Sequence, residues 1–158
     1  MDVNNYLIDQ EGKDWASLLS DWSALLPSEL TVWLVNRFGD VFFVSADGAV
    51  HLLDVGRGVV ERLADSRDDF IAQLDADDNA DFWLLISLVD RCVTEGLVLS
   101  TGQCYGYKVP PILAGEYTVE NIEPTDLAVH YLVLSDIANQ TANLPDGTRV
   151  RVVSTEPD

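Results

Sequence analysis

The sequence predicts an α+β fold: a mainly antiparallel β-meander packed against two to four helices, in a single domain. Three observations carry this reading. From Thr31 to Leu53 the chain runs through short stretches rich in β-branched and aromatic residues, parted by Gly39-Asp40 and Asp47-Gly48. Flanking segments repeat their apolar residues at three- and four-residue steps, the period of a helix. The chain has 158 residues, 47% of them hydrophobic, enough for one domain to close a core. No linker, low-complexity tract or internal repeat divides it. Three zones follow: a meander over 26–64, a helical pair over 65–96 and a loop-rich region over 97–153.

The first element is a helix over Gly12–Leu26, with Trp15, Leu18, Leu19, Trp22, Leu25 and Leu26 on one face. Pro27 ends it, because the residue before proline is pushed out of the helical region. Thr31–Val35, Val41–Ser45 and Val50–Leu53 are the strands of the meander. Asp47-Gly48 is a hairpin signal, since a tight primed turn needs positive φ. Gly56 and Gly58 make another turn, after which Val59–Leu63 reads as a fourth strand. Ser66 is a helix N-cap, with Asp68 and Asp69 in the first turn where negative charge suits the helix dipole. Phe70, Ile71 and Leu74 are expected to pack inward.

A break over Asp75–Asn79 leads into a helix over Ala80–Glu95, apolar around most of its circumference through Phe82, Trp83, Leu85, Ile86, Leu88, Val89, Cys92 and Val93. Such a helix belongs inside a domain, and Gly96 stops it. Gly102–Gly115 is dense in Gly, Pro and Tyr and reads as an ordered loop with one short strand around Tyr105–Val109. Leu127–Leu134 looks like a strand. Ser135 is expected to cap a short helix over Asp136–Leu144. Pro145-Asp146-Gly147 is a turn, Thr148–Val153 a final strand, and Ser154–Asp158 a fraying end.

Nine Lys and Arg against twenty-seven Asp and Glu give a net charge of -18. A chain this acidic is not expected to bind nucleic acid directly, which takes clustered cations, nor an anionic membrane surface. Met1–Asn5 has no basic and apolar pattern of a secretory signal. The longest nearly apolar run, Phe82–Val89, is too short for a membrane span. With two cysteines, Cys92 and Cys104, and no export signal, a cytoplasmic location is expected.

The densest charge run is Asp65, Asp68, Asp69, Asp75, Asp77, Asp78 and Asp81. Asp75–Asn79 imitates the start of a calcium loop. However, Ala80 stands where the sharp turn needs Gly, and Ile86 where the bidentate Glu belongs. No metal or other cofactor is expected. The run reads as a solvated helix connection or as an acidic docking face for a basic partner. His51 and His130 have no second ligand at metal spacing. A Cys104–His130 nucleophile pair is conceivable only if folding joins them, and the residues around Cys104 match no thiol-enzyme pattern.

The most distinctive segment is Gly102–Ile122. Its Gly, Pro and Tyr residues constrain the backbone, so it is a structural crossover with Tyr plugs, a presented recognition loop, or the pocket wall of a small-ligand-binding or regulatory module. This segment resembles the signature of the type VI secretion DNase-immunity (Tdi) family through Tyr105, Gly106, Tyr107, Lys108, the step Leu113-Ala114-Gly115, Tyr117, Glu120 and Asn121. Val129–Tyr131 through Gln140 and Leu144-Pro145 resemble the family's end. Leu26-Pro27, Arg37–Asp40 and the meander resemble a shortened GAD-like region. Ala114 departs from the commoner Gly, which matters little if φ is negative there. The resemblance implies a non-enzymatic, cytoplasmic bacterial protein that binds and silences a cognate nuclease toxin. The acidic charge fits that role independently, because a DNA-holding nuclease presents cations. The run Asp65–Asp81 is the expected partner surface.

Overall fold

The computed structural model describes residues 2–142. The turn expected at 145–147 and the strand expected at 148–153 lie outside them. Four strands, β1 (Leu30–Val35), β2 (Val41–Ser45), β3 (Val50–Asp54) and β4 (Val59–Ala64), form an antiparallel meander in the order β1-β2-β3-β4. Its strands and turns are those the sequence predicts, so the α+β expectation holds. The pleat explains the unbroken apolar run of β2. Phe42 and Val44 point to one side of the sheet, Val41 and Phe43 to the other, and all four are buried. A strand with both faces covered reads as a continuous apolar run.

One face carries α2 (Arg67–Leu74), α3 (Asn79–Leu84) and α4 (Ile86–Thr94). Phe42, Val44, Val50 and Leu52 meet Phe70, Leu84, Leu88, Val89 and Cys92 there. Phe70 is the hinge pin of this layer. Its ring lies 5.1 Å from Trp83, 5.2 Å from Trp33 and 5.5 Å from Phe42. The other face carries the one-turn α1 (Trp15–Leu18) and the long α5 (Leu127–Thr141). Leu19, Trp22, Tyr131 and Leu134 cover Val41, Phe43 and Leu53 on that side. A hairpin of β5 (Gln103–Tyr107) and β6 (Ile122–Asp126) sits at the margin and feeds both cores.

Several expectations are corrected. The predicted helix over Gly12–Leu26 is only α1 followed by a 3₁₀ turn, Ser20–Trp22. Serine hydroxyls compete for its backbone and its cap: Ser20 Oγ donates to Ser17 O, and Ser17 Oγ to the Asp14 carboxylate. Leu25 is consequently left 43% exposed rather than packed. The predicted helix over Ala80–Glu95 is two helices, broken where Leu85 takes φ 53°. Asp81 accepts the Ser87 N–H at 2.8 Å and satisfies a first-turn donor of the restarted helix. The break also undoes the all-round burial expected there: Phe82 and Val93 face solvent. Ile71, expected inside, is 50% exposed, whereas Phe70 is buried.

Leu127–Leu134, expected as a strand, is the first half of α5. Asp126 accepts the Val129 N–H as its N-cap. The buried residues Leu127, His130, Tyr131, Leu134, Ser135 and Ile137 follow helical spacing. Ser135 lies inside this helix and donates to Leu132 O, so it does not cap a separate one. β6 was not expected at all.

Candidate functional site

The turn between β1 and β2 is where the layers meet. Gly39 adopts φ 82°, which lets Asn36–Asp40 close on itself. The Asn36 side chain accepts the N–H groups of Phe38 and Asp40, each at 3.0 Å, and donates to the Asp40 carboxylate and to Trp83 O on α3. Asp40, almost wholly buried, accepts the Val55 N–H at 3.0 Å. Burial, and then the charge of Asp54, push its carboxyl well above the usual carboxylate range. From the opposite layer, Tyr131 Oη donates to Gly39 O at 2.7 Å and His130 Nε2 to Phe38 O at 2.8 Å. The Tyr105 N–H donates to Arg37 O at 2.7 Å. Five residues thus join the meander, the helical layer, the hairpin and α5. Sequence reasoning did not single out Asn36 and Asp40 as a buried pair, although two short polar residues bracketing a Phe-Gly turn are the available signal.

The motif segment grips this turn from outside. Tyr105 is buried and donates to Leu97 O at 2.6 Å, with its ring 5.4 Å from Phe38. Gly106 is buried against Thr125. Tyr107 stacks on Phe38 at 5.7 Å and meets Tyr117 edge-on at 6.0 Å. Burial, followed by the charge of Asp40, raises its phenol well above the ordinary value. Asn121 staples the loop. It accepts the Val109 N–H and donates to the Val109 and Glu116 carbonyls, at 2.8–2.9 Å. Gly115 passes so close that a Cβ there would overlap the Val109 carbonyl. Ala114 has φ 67°, so the positive value that favours Gly is present. Lys108 and Glu120 are exposed, and Tyr117 is 39% exposed. Tyr105, Gly106, Tyr107, Gly115 and Asn121 therefore spend their side chains, or the lack of one, on folding.

The seven aspartates of the charge run are all solvent-exposed except Asp69, which is partly buried. Asp69 accepts the Asp65 N–H and the Gln73 side-chain amide, and its own N–H is capped by Ser66. Asp65 pairs with Arg62 at 2.9 Å. Asp81 caps α4, as above. The remaining four, Asp68, Asp75, Asp77 and Asp78, make no side-chain hydrogen bond or ion pair among the described residues. Asp68 stands in the first turn of α2, and Asp75, Asp77 and Asp78 line the connection from α2 to α3, where Asp77 takes φ 49°. No three His, Cys, Asp or Glu side chains converge to hold a metal ion among the described residues.

Cys104 and His130 are both buried, and no hydrogen bond joins them. Burial, then the charge of Asp40, pushes the Cys104 thiol up, away from thiolate formation. Burial pushes the His130 imidazole down to about 4. Neither group is poised as nucleophile or base. Tyr105 borders an open cleft of about 490 Å³ with Tyr6, Arg37, Asp90 and Leu99, while Tyr107 does not line it. No helix among the described residues is long and apolar enough to cross a membrane.

Residues 64–138 match the family model described as T6SS immunity protein Tdi1, C-terminal. That match spans α2 through most of α5, including the whole motif segment and the charge run. No curated protein matches the chain. Among solved structures, the crystal structure of Atu4351 from Agrobacterium tumefaciens aligns at 18% identity with a TM-score of 0.47, over 76% of this chain and 60% of that one.

Proposed function

We propose that this protein is a non-enzymatic immunity protein that binds and neutralises a cognate nuclease toxin of a type VI secretion system in the bacterial cytoplasm. The observation that carries the reading is the match of residues 64–138 to a type VI secretion immunity family. The chemistry of the surface supports it. Three aspartates on the α2–α3 connection, and Asp68 in the first turn of α2, have no internal partner, in a chain of net charge -18. A nuclease that grips DNA displays cations, so such a ledge is steered to it and competes for the same surface. The protein itself does not touch nucleic acid. The motif segment contributes rigidity, and contact is made by Asp65, Asp68, Asp75, Asp77, Asp78 and Asp81, with Asp69 holding the cap beneath them.

Co-expression tests the reading. Cells producing the cognate type VI nuclease toxin are expected to die alone and to survive when this chain is produced with it. Continued death, with both proteins made and soluble, would sink the proposal.

A further inference from the structure

Phe82 is the most exposed of the large apolar side chains among the described residues, at 75% of its surface. Its position is fixed from two sides. Trp83, the next residue, stacks on Phe70 at 5.1 Å inside the core. The helix is cut two residues later by Leu85 at φ 53°, and Asp81 is tied to the Ser87 N–H. The turn that carries Phe82 is thus pinned by its inward neighbour, its capped break and the Asn79–Gln73 hydrogen bond at 2.8 Å. An aromatic side chain turns about only two bonds, so from a pinned backbone turn it loses little freedom when it is captured, the property that makes aromatics strong anchors.

The surroundings select the partner's chemistry. Asp78 stands one helical turn before Phe82 on the same face, and Asp77 and Asp75 precede it on the connection. None of the three carboxylates is used within the fold. We infer that Phe82 is the anchor of the partner interface, entering an apolar pocket rimmed by Lys and Arg on the DNA-binding face of the toxin. This inference rests on the immunity reading and adds to it the residue that carries most of the binding. The acidic side chains orient and accelerate the encounter, and the ring holds the complex.

The test uses the full chain and the cognate type VI nuclease toxin that it protects against in co-expression, rendered inactive by substitution, in titration calorimetry at low and high salt. Phe82→Ala is expected to weaken binding by about thirtyfold or more, with the melting temperature nearly unchanged because three quarters of the residue's surface already faces solvent. Asp78→Asn is expected to weaken it about threefold at low salt, with the difference gone at high salt. Leu132→Ser, on the exposed face of α5, is expected to bind as the parent does. Parent-like binding by Phe82→Ala would overturn the anchor and leave the immunity reading standing. Absence of binding by the parent chain would overturn both.

Discussion

His130 and Ala114 show how single residues carry measurable consequences. His130 is buried neutral, with its imidazole lowered from 6.5 to about 4 by burial. As pH falls, the unfolded chain takes up this proton first. The stabilisation by the neutral ring is therefore whole above about pH 6.5 and lost as pH falls to about 4, an effect of roughly 3 kcal/mol. Asp40 acts in the opposite sense. Its carboxyl is raised, so its contribution is whole below about pH 4 and lost as pH rises through the raised value. The two must be separated by substitution. His130→Gln keeps an amide donor for Phe38 O, and urea titrations at pH 4.5 and 7 should show less acid loss than in the parent, by up to about 3 kcal/mol. Ala114 pays the left-handed penalty at φ 67°. Ala114→Gly is expected to raise stability by roughly 1 kcal/mol, read as a higher urea midpoint at unchanged slope.

At the scale of elements, the loop after β5 is held by geometry more than by apolar burial. Gly115→Ala places a Cβ on the Val109 carbonyl. Roughly 3 kcal/mol should be lost, and proteolytic cleavage between Val109 and Tyr117 should rise. The elements differ in how legible they were. The meander was plain because alternation and the Asp-Gly turn are local signals, and Ser66 announced α2 by its own chemistry. α5 was misread because Val, His, Tyr and Leu in succession look like a strand. Only the placement of Leu127, Tyr131 and Leu134 against Val41 and Phe43 makes them helical, so tertiary packing decided it. The split at Leu85 was hidden for a similar reason. A leucine at positive φ is tolerated only where packing over-determines it, and here Trp83 and Leu84 do so from one side. The aspartates of the charge run were visible as a cluster. Their division into cappers and unpartnered carboxylates was not, since it depends on Ser66, Gln73 and Ser87 arriving at set places. The Asn36–Asp40 junction was likewise out of reach, as its partners Trp83, Tyr105 and Tyr131 come from distant parts of the chain.

For the whole molecule, charge opposes compactness. With a net charge of -18, self-repulsion falls as salt shortens the screening length. Raising sodium chloride from about 0.05 to 0.5 M should lift the melting midpoint by roughly 3–6 °C. An unchanged midpoint would mean that the ion pairs of Arg57 and Arg62 already balance the repulsion locally. The location of the motif has a further consequence. Tyr105, Gly106, Tyr107, Gly115 and Asn121 are committed to the fold, while the exposed Phe82 ring and the unpaired aspartates make no contact on which the core rests. On the proposed reading, maintenance and recognition are written on different residues, so one scaffold could be retargeted to a new opponent by editing a single ledge.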